Sequence, residues 1–333
     1  MIKKLILITS ISTAIIMTGC SQNEESQPDA ETQNENTEKT DKQENQEKTG
    51  DLSAFLQSFE GTVNHVHGIG YIQPDTGTAF ATHSGLKFYQ DGDWLETKEQ
   101  FNDYMGFTAV DNGFYTSGHP GEDSDLPNPL GLKRSTDGGQ TLEDLGFEGE
   151  SDFHTMGVGY KNHAVYLMNI QPNSELDAGF YRSLDDGETW EAIEAAGIST
   201  SPFALAVHPT DENIVAASTQ NGIYLSKDGG QTFEPVKENI QGTALYFEEE
   251  RLYFATYSSE PKLKSINLKD TTTETLSLPE IGNQAILYVV KNPDNEDEIT
   301  LLSSDGETDH AFISTDGGEN WKQILDQGKT ISE

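Results

Sequence analysis

The sequence has few basic residues and almost no cysteine. Its 333 residues include 20 Lys and Arg against 57 Asp and Glu, which gives a formal net charge of −37. This balance excludes a nucleic-acid binder built on a basic surface, because phosphate recognition needs a high density of Lys and Arg. It also excludes adhesion to an anionic membrane through charge alone. The single cysteine excludes an internal disulfide, and the 31 glycines are typical of a turn-rich globular protein.

A short apolar run near the start of the chain predicts a signal peptide. The run covers residues 5–17, follows Lys3 and Lys4, and is too short to span a bilayer comfortably. It ends in Met17-Thr18-Gly19-Cys20, which resembles a bacterial lipobox. The resemblance implies that residues 1–19 are removed and that Cys20 is acylated. The lipid would then anchor the protein on the extracytoplasmic face of the cell membrane, as in a Gram-positive bacterium.

Residues 20–50 contain no aromatic side chains and almost no aliphatic ones. They hold nine acidic residues and three lysines. Such a segment cannot bury enough apolar surface to offset the entropy of ordering, so we expect a disordered acidic linker. The folded domain is therefore predicted to occupy residues 51–333.

The predicted domain repeats one short pattern. Four segments share a serine, an aspartate two positions later and a glycine two positions after that, and they are centred on Asp137, Asp185, Asp228 and Asp316. With degenerate copies at Asp91 and Asp270, the aspartates recur every 42 to 48 residues. This interval suits a unit of four short β-strands.

The pattern resembles the Asp box, or BNR repeat, of the β-propellers in the sialidase/sortilin-like superfamily. The resemblance implies an all-β fold, a six-bladed β-propeller of four-stranded blades with Asp-box turns; seven blades are the alternative. The four box aspartates are predicted to be structural, because a carboxylate at this position accepts hydrogen bonds from its own turn. Bacterial lipoproteins of this appearance often carry a glycosyl hydrolase label, which leaves catalysis open.

Histidine and methionine recur on the innermost strands of the first three blades. His67, Met105 and Met156 share one register, each followed by glycine, and His65 and His154 stand two residues before the first and last of them. Period-two spacing places such pairs on one strand face. Imidazole and thioether together favour copper, with zinc next. The candidate metal ligands at this channel rim are His65, His67, His83, Met105, His119, His154 and Met156.

Carboxylates predicted at the same rim support an alternative function, a glycoside hydrolase of unknown substrate. Such an enzyme needs two carboxyl groups that flank the glycosidic bond. The candidates are Asp103, Glu122, Asp123, Asp125 and Asp152. A true sialidase is disfavoured, because it binds its substrate carboxylate with three arginines and two of the three arginines in this chain belong to the repeat. We therefore favour a monomeric binding module whose rim takes a small ligand, a glycan or a protein, and we leave open whether the chain is an enzyme.

Overall fold

The computed structural model describes residues 52–63, 65–73 and 76–333. Within these residues the regular secondary structure is almost entirely β-strand, and a short 3-10 helix lies at Leu52–Ala54. No helix among them is long and apolar enough to cross a membrane. The predicted signal peptide, Cys20 and the acidic linker lie outside the described residues.

The strands of the first three blades follow one another along the chain. Blade one contains β1 (Leu56–Ser58), β2 (Val66–Gly70), β3 (Thr78–Thr82), β4 (Gly85–Gln90) and β5 (Asp93–Thr97). Blade two contains β6 (Asp103–Val110), β7 (Gly113–His119), β8 (Lys133–Ser135) and β9 (Glu143–Asp144). Blade three contains β10 (Met156–Val158), β11 (Val165–Asn169), β12 (Gly179–Ser183) and β13 (Glu191–Ile193).

The last three blades continue the same series. Blade four contains β14 (Pro202–Val207), β15 (Val215–Thr219), β16 (Gly222–Ser226) and β17 (Glu234–Glu238). Blade five contains β18 (Gln241–Phe247), β19 (Arg251–Tyr257), β20 (Lys262–Asn267) and β21 (Thr273–Thr275). Blade six contains β22 (Ala285–Asn292), β23 (Asn295–Ser304), β24 (Asp309–Ser314), β25 (Lys322–Asp326) and β26 (Lys329–Thr330).

These sheets form a six-bladed β-propeller, as predicted. Every blade is an antiparallel sheet that runs outward in chain order from its innermost strand; β1 is the exception, because it pairs with β5 at the outer edge of blade one. The innermost strands β2, β6, β10, β14, β18 and β22 contact their neighbours around a central channel of about 570 Å³. The seven-bladed alternative is wrong for the described residues, which form six sheets.

Neighbouring inner strands approach each other closely, and glycine makes this approach feasible. A Cβ atom at Gly70 in β2 would lie only 2.4 Å from the Cβ of Ala109 in β6. The apolar side chains behind the inner strands fill the gaps between blades. The cluster at the junction of blades one and six, for example, includes Phe80, Trp94 and Leu302. Burial of these side chains supplies the main stabilisation of the ring.

The ring closes through backbone hydrogen bonds between the two ends of the described chain. The segment that contains β26 adds to the edge of blade six and reaches blade one, where Val63 N donates to Gly328 O over 2.7 Å. The indole Nε1 of the buried Trp94 in blade one donates to Ile324 O in blade six over 2.9 Å. Closure therefore combines apolar packing with hydrogen bonds across the junction.

The Asp-box turns lie between the third and fourth strands of their blades. Asp228 Oδ1 accepts hydrogen bonds from Ser226 Oγ (2.8 Å) and Thr232 N (2.9 Å), and its Oδ2 accepts one from Thr232 Oγ1 (2.6 Å). Ser226 Oγ in turn accepts a bond from Gly230 N (2.9 Å). The same set of bonds surrounds Asp137, Asp185 and Asp316. Each box carboxylate is thus engaged within its own turn.

Candidate functional site at the channel mouth

The inner strand of blade one carries a β-bulge at His67. Val66 pairs with Thr82 and Gly68 pairs with Ala81, so His67 has no opposite residue in the adjacent strand. A bulge redirects the side chain of its extra residue, and His67 lines the mouth of the channel. This mouth is the end of the channel where the innermost strands begin and the second strands end.

Two histidines and an aspartate meet at the junction of blades one and two. His67 Nε2 lies 3.3 Å from His83 Nε2, and His83 Nδ1 lies 2.8 Å from Asp103 Oδ2. His83 follows β3, and Asp103 begins β6 in the next blade. Among the described residues, these three form the one group of His, Cys, Asp or Glu whose potential ligand atoms all lie within 4.8 Å of one another.

The environment of this group favours the neutral form of the His67 imidazole. Burial, followed by the proximity of His83, lowers the pKa of His67 below its usual value of 6.5. Asp103 Oδ1 is buried, has no hydrogen-bond partner and lies 3.8 Å from His67 Nε2. A buried acceptor without a partner costs free energy unless a proton or cation reaches it. The group therefore presents lone pairs and negative charge at one point.

Two further residues support the bulge, and only one of them was predicted. His65 is exposed, and its ring lies edge-on to the ring of His83, with 5.4 Å between the ring centroids. Val66 N donates a hydrogen bond to Asp309 Oδ2 over 2.9 Å, from the third strand of blade six. Asp309 is buried, and no motif in the sequence singles it out. It fixes the backbone next to His67 across the closure of the ring.

A second histidine–carboxylate group lies at the junction of blades two and three. His119 Nε2 lies 3.2 Å from Asp152 Oδ2, and His154 Nε2 lies 2.5 Å from the same oxygen. His119 Nδ1 contacts Asn128 Oδ1 at 2.7 Å. Asp152 Oδ1 is buried without a hydrogen-bond partner. The residues predicted for one metal site are thus divided between two neighbouring groups.

The two methionines do not share the position expected for them. Met156 is buried in the apolar cluster between blades two and three, where it packs with Phe153. Met105 is half-buried in β6 and is not among the residues that line the channel. The predicted common register fails because β2 is bulged at His67, whereas β6 is bulged only beyond Met105. Met156, at the start of β10, nevertheless lines the channel with only 6% of its surface exposed, so the channel mouth offers nitrogen and oxygen donors and one largely buried thioether.

The remaining carboxylates predicted for catalysis make no hydrogen bond or ion pair with either group. Glu122, Asp123 and Asp125 are exposed in the loop after β7. Of the five candidates, Asp103 and Asp152 lie at the mouth, Asp103 beside His83 and Asp152 beside His119 and His154. The mouth therefore holds two carboxylates paired with imidazole rings.

Two protein-family models match parts of the sequence. The Sortilin-Vps10 model, described as sortilin, neurotensin receptor 3, matches residues 131–278, and the BNR/Asp-box repeat model matches residues 312–323. No curated protein matches the chain significantly in sequence.

Several solved structures share the fold at low sequence identity. A GH74 xyloglucanase from Xanthomonas campestris is 17% identical with a TM-score of 0.50, over 81% of this chain and 46% of that chain. A GH74 enzyme from Niastella koreensis is 17% identical with a TM-score of 0.50, over 81% and 47%. The extracellular domain of a hybrid two-component system from B. thetaiotaomicron is 11% identical with a TM-score of 0.51, over 83% and 36%. The chain spans less than half the length of each, and at these identities the likeness is one of fold.

Proposed function

Because the chain is an Asp-box (BNR-repeat) β-propeller, whose fold alone specifies no reaction, we propose a function from its channel mouth. The protein is a metal-binding module that holds a divalent transition-metal ion between His67 and His83. The observation that carries this proposal is the 3.3 Å separation of their Nε2 atoms. As the sequence predicts, the module is exported and held at the membrane by a lipid on Cys20.

The tautomer of His83 supports metal binding. Asp103 Oδ2 accepts a hydrogen bond from His83 Nδ1, so the proton of the neutral ring is on Nδ1 and the Nε2 lone pair is directed at His67. In the metal-free protein a proton on His67 Nε2 satisfies this lone pair. When a metal ion binds at Nε2, that proton would move to Nδ1 of His67, so that the ring stays neutral. Carboxylate partners of this kind orient metal-binding histidines in many proteins.

The separation of the two nitrogens indicates which metal suits the site. With metal–nitrogen bonds of 2.0–2.1 Å, two ligands of a tetrahedral ion lie about 3.3–3.4 Å apart. Adjacent ligands of a square-planar ion lie about 2.8 Å apart, which suits Cu²⁺ less well. The observed 3.3 Å therefore favours zinc. Copper remains the competitor expected from the Irving–Williams order. The preference for Cu⁺ has little support, because Met156 is largely buried in the apolar cluster with Phe153.

The charge around the site also suits a cation. The buried Asp103 Oδ1, 3.8 Å from His67 Nε2, brings a negative charge that a divalent ion would compensate. The remaining coordination positions face the channel mouth, where water or a small ligand binds. The lowered pKa of His67 keeps this ligand neutral at physiological pH, and neutral imidazole is the form that binds metal.

Calorimetric titration of the protein with Zn²⁺ and with Cu²⁺ tests the proposal. His83→Ala should abolish this binding, whereas Asp103→Asn, which keeps an acceptor for His83 but removes the charge, should weaken it about 10- to 100-fold. The matched control is His163→Ala, because His163 also pairs with an aspartate, Asp111, at 2.8 Å on the opposite rim. Equal affinity in His83→Ala and in the control would place the metal on the acidic surface and refute the proposal.

A glycoside hydrolase is the second candidate, supported by the fold shared with GH74 enzymes and by the presence of Asp103 and Asp152 at one mouth. The pairing of both carboxylates with histidines counts against it, since one of the two must act as a protonated acid. Incubation with xyloglucan and with chromogenic glycosides tests it. Hydrolysis that disappears in Asp152→Asn but survives a chelator would favour the enzyme over the metal-binding module.

A further inference from the structure

The histidine–carboxylate pairing repeats at the next blade junction. In the first pair, His83 follows the second strand of blade one and bonds to Asp103 at the start of blade two. In the second, His119 ends the second strand of blade two and contacts Asp152, just before the inner strand of blade three. The same arrangement of donor groups therefore occurs twice around the channel mouth.

Asn128 determines which nitrogen of His119 is free. Its Oδ1 lies 2.7 Å from His119 Nδ1 and accepts a hydrogen bond from it. In the neutral ring, Nε2 then carries a lone pair, and this lone pair faces Asp152 Oδ2 at 3.2 Å. Two acceptors that face each other at this distance repel unless a cation lies between or beside them. The second pair differs in this respect from the first, in which His83 Nδ1 donates a hydrogen bond to Asp103 Oδ2.

A third donor reaches the same carboxylate. His154 Nε2 lies 2.5 Å from Asp152 Oδ2, while Asp152 Oδ1 is buried without a partner. The side chains of His119 and His154 are 45% and 55% exposed, so their rings can rotate without disturbing the core. Asp152 is only 15% exposed and holds its carboxylate in place.

We propose that His119, Asp152 and His154 bind a second divalent transition-metal ion, separate from the ion at His67 and His83. Two imidazoles and one carboxylate are a donor set that zinc and its neighbours in the first transition row accept. The second site is the weaker one, because the carboxylate oxygen now lies between the two nitrogens and both rings must turn to admit an ion. The proposal rests on its own residues and does not require the first site to be occupied.

The stoichiometry of Zn²⁺ binding tests the second site. The protein is titrated by calorimetry in excess Ca²⁺, which occupies oxygen-only sites on the acidic surface but binds imidazole poorly. The wild type should bind two Zn²⁺ ions per chain with different affinities. His119→Ala should lose the weaker event and keep the stronger, and His83→Ala should show the reverse. Asn128→Ala should weaken only the second event, by about 10- to 100-fold, since it frees the His119 ring.

The possible outcomes separate the two proposals. One ion per chain, lost in His83→Ala and unaffected by His119→Ala, would overturn the second site and leave the first intact; His119 would then be a protonated partner of Asp152. A second event that persists in the His119→Ala/His154→Ala double variant would also overturn it. Absorption of the Co²⁺-loaded protein gives an independent readout, because loss of one tetrahedral centre should lower the visible bands. Thermal melting verifies that each variant is folded.

Discussion

The buried Asp309 connects the closure of the ring to the candidate metal site. Its Oδ2 accepts a hydrogen bond from Val66 N over 2.9 Å, and Val66 immediately precedes the bulged His67. Both residues are buried, with exposed fractions of 7% and 5%. Replacement of Asp309 by alanine would therefore leave a backbone N–H without an acceptor in a place that water reaches poorly.

The expected cost follows from the kind of bond that is lost. A hydrogen bond to a charged group contributes about 1.5–3 kcal/mol. For a chain of this size each kcal/mol corresponds to about 2–4 °C in melting temperature, so Asp309→Ala should melt about 3–12 °C lower. Asp309→Asn keeps an oxygen acceptor for Val66 and should lose less. Both variants should bind Zn²⁺ more weakly, since His67 is less firmly placed and, in both, a nearby negative charge is gone.

Tryptophan fluorescence during thermal unfolding measures this effect, because Trp94 lies at the same junction. Asp294→Ala is the control: Asp294 is an exposed aspartate of the same blade, and its loss should change stability by no more than about 0.5 kcal/mol. If Asp309→Ala has the same melting temperature as the control, the hydrogen bond between Asp309 and Val66 does not stabilise the ring. If Asp309→Ala melts at a lower temperature but binds Zn²⁺ with wild-type affinity, Asp309 does not position His67 for metal binding.

Three other predictions concern the turns, the closure and the anchor. The hydroxyl of Thr232 lowers the pKa of Asp228 to about 2, so the stability that this contact gives is present above about pH 4 and is lost towards pH 2. In urea unfolding at several pH values, the difference in unfolding free energy between wild type and Thr232→Val should shrink over that range. A difference that stays constant would refute this. Deletion of residues 328–333 should lower the melting temperature and shift the emission of Trp94 to the red, and unchanged emission would show that the segment does not close the ring. Cys20→Ala should release the protein from membranes on fractionation, whereas a processed, lipid-labelled variant would contradict the lipobox.

The fold could be predicted from the sequence because it is repetitive. Each Asp box reports the same local turn, and the spacing between boxes leaves room for four strands and little else. The extra strand β1 was not predicted, because its pairing with β5 joins segments that are distant in sequence and share no pattern with the repeat. Closure of the ring depends instead on contacts of the β26 segment with blade one, such as the hydrogen bond from Val63 N to Gly328 O and the bridge between Thr62 and Lys329.

The candidate site could be predicted only in part. The rim positions of His83 and His119 follow from the order of strands in a blade, and the structure places both beside a carboxylate. The difference between His67 and Met156 was not foreseen, because counting equivalent positions takes no account of the bulge at His67 in β2, whereas β10 pairs with β11 without a break at Met156. Asp309 carries no sequence signal, since its partner is a backbone amide in another blade.

The bulges also explain how one repeated scaffold holds an asymmetric site. Breaks in register of the same kind leave Phe203 unpaired in the inner strand of blade four and Leu287 unpaired in that of blade six, and both residues line the channel. The scaffold thus presents equivalent side-chain positions around the mouth, and histidine occupies this one in blade one.

Leu287→His would add an imidazole at the equivalent position in blade six, next to blade one in the ring. If the bulge determines which residue faces the mouth, this variant should bind Zn²⁺ more tightly than the wild type in the same calorimetric titration. A matched Leu302→His variant, at a buried position outside the bulge, should destabilise the fold without raising the affinity, and equal gains in both variants would refute the role of the bulge.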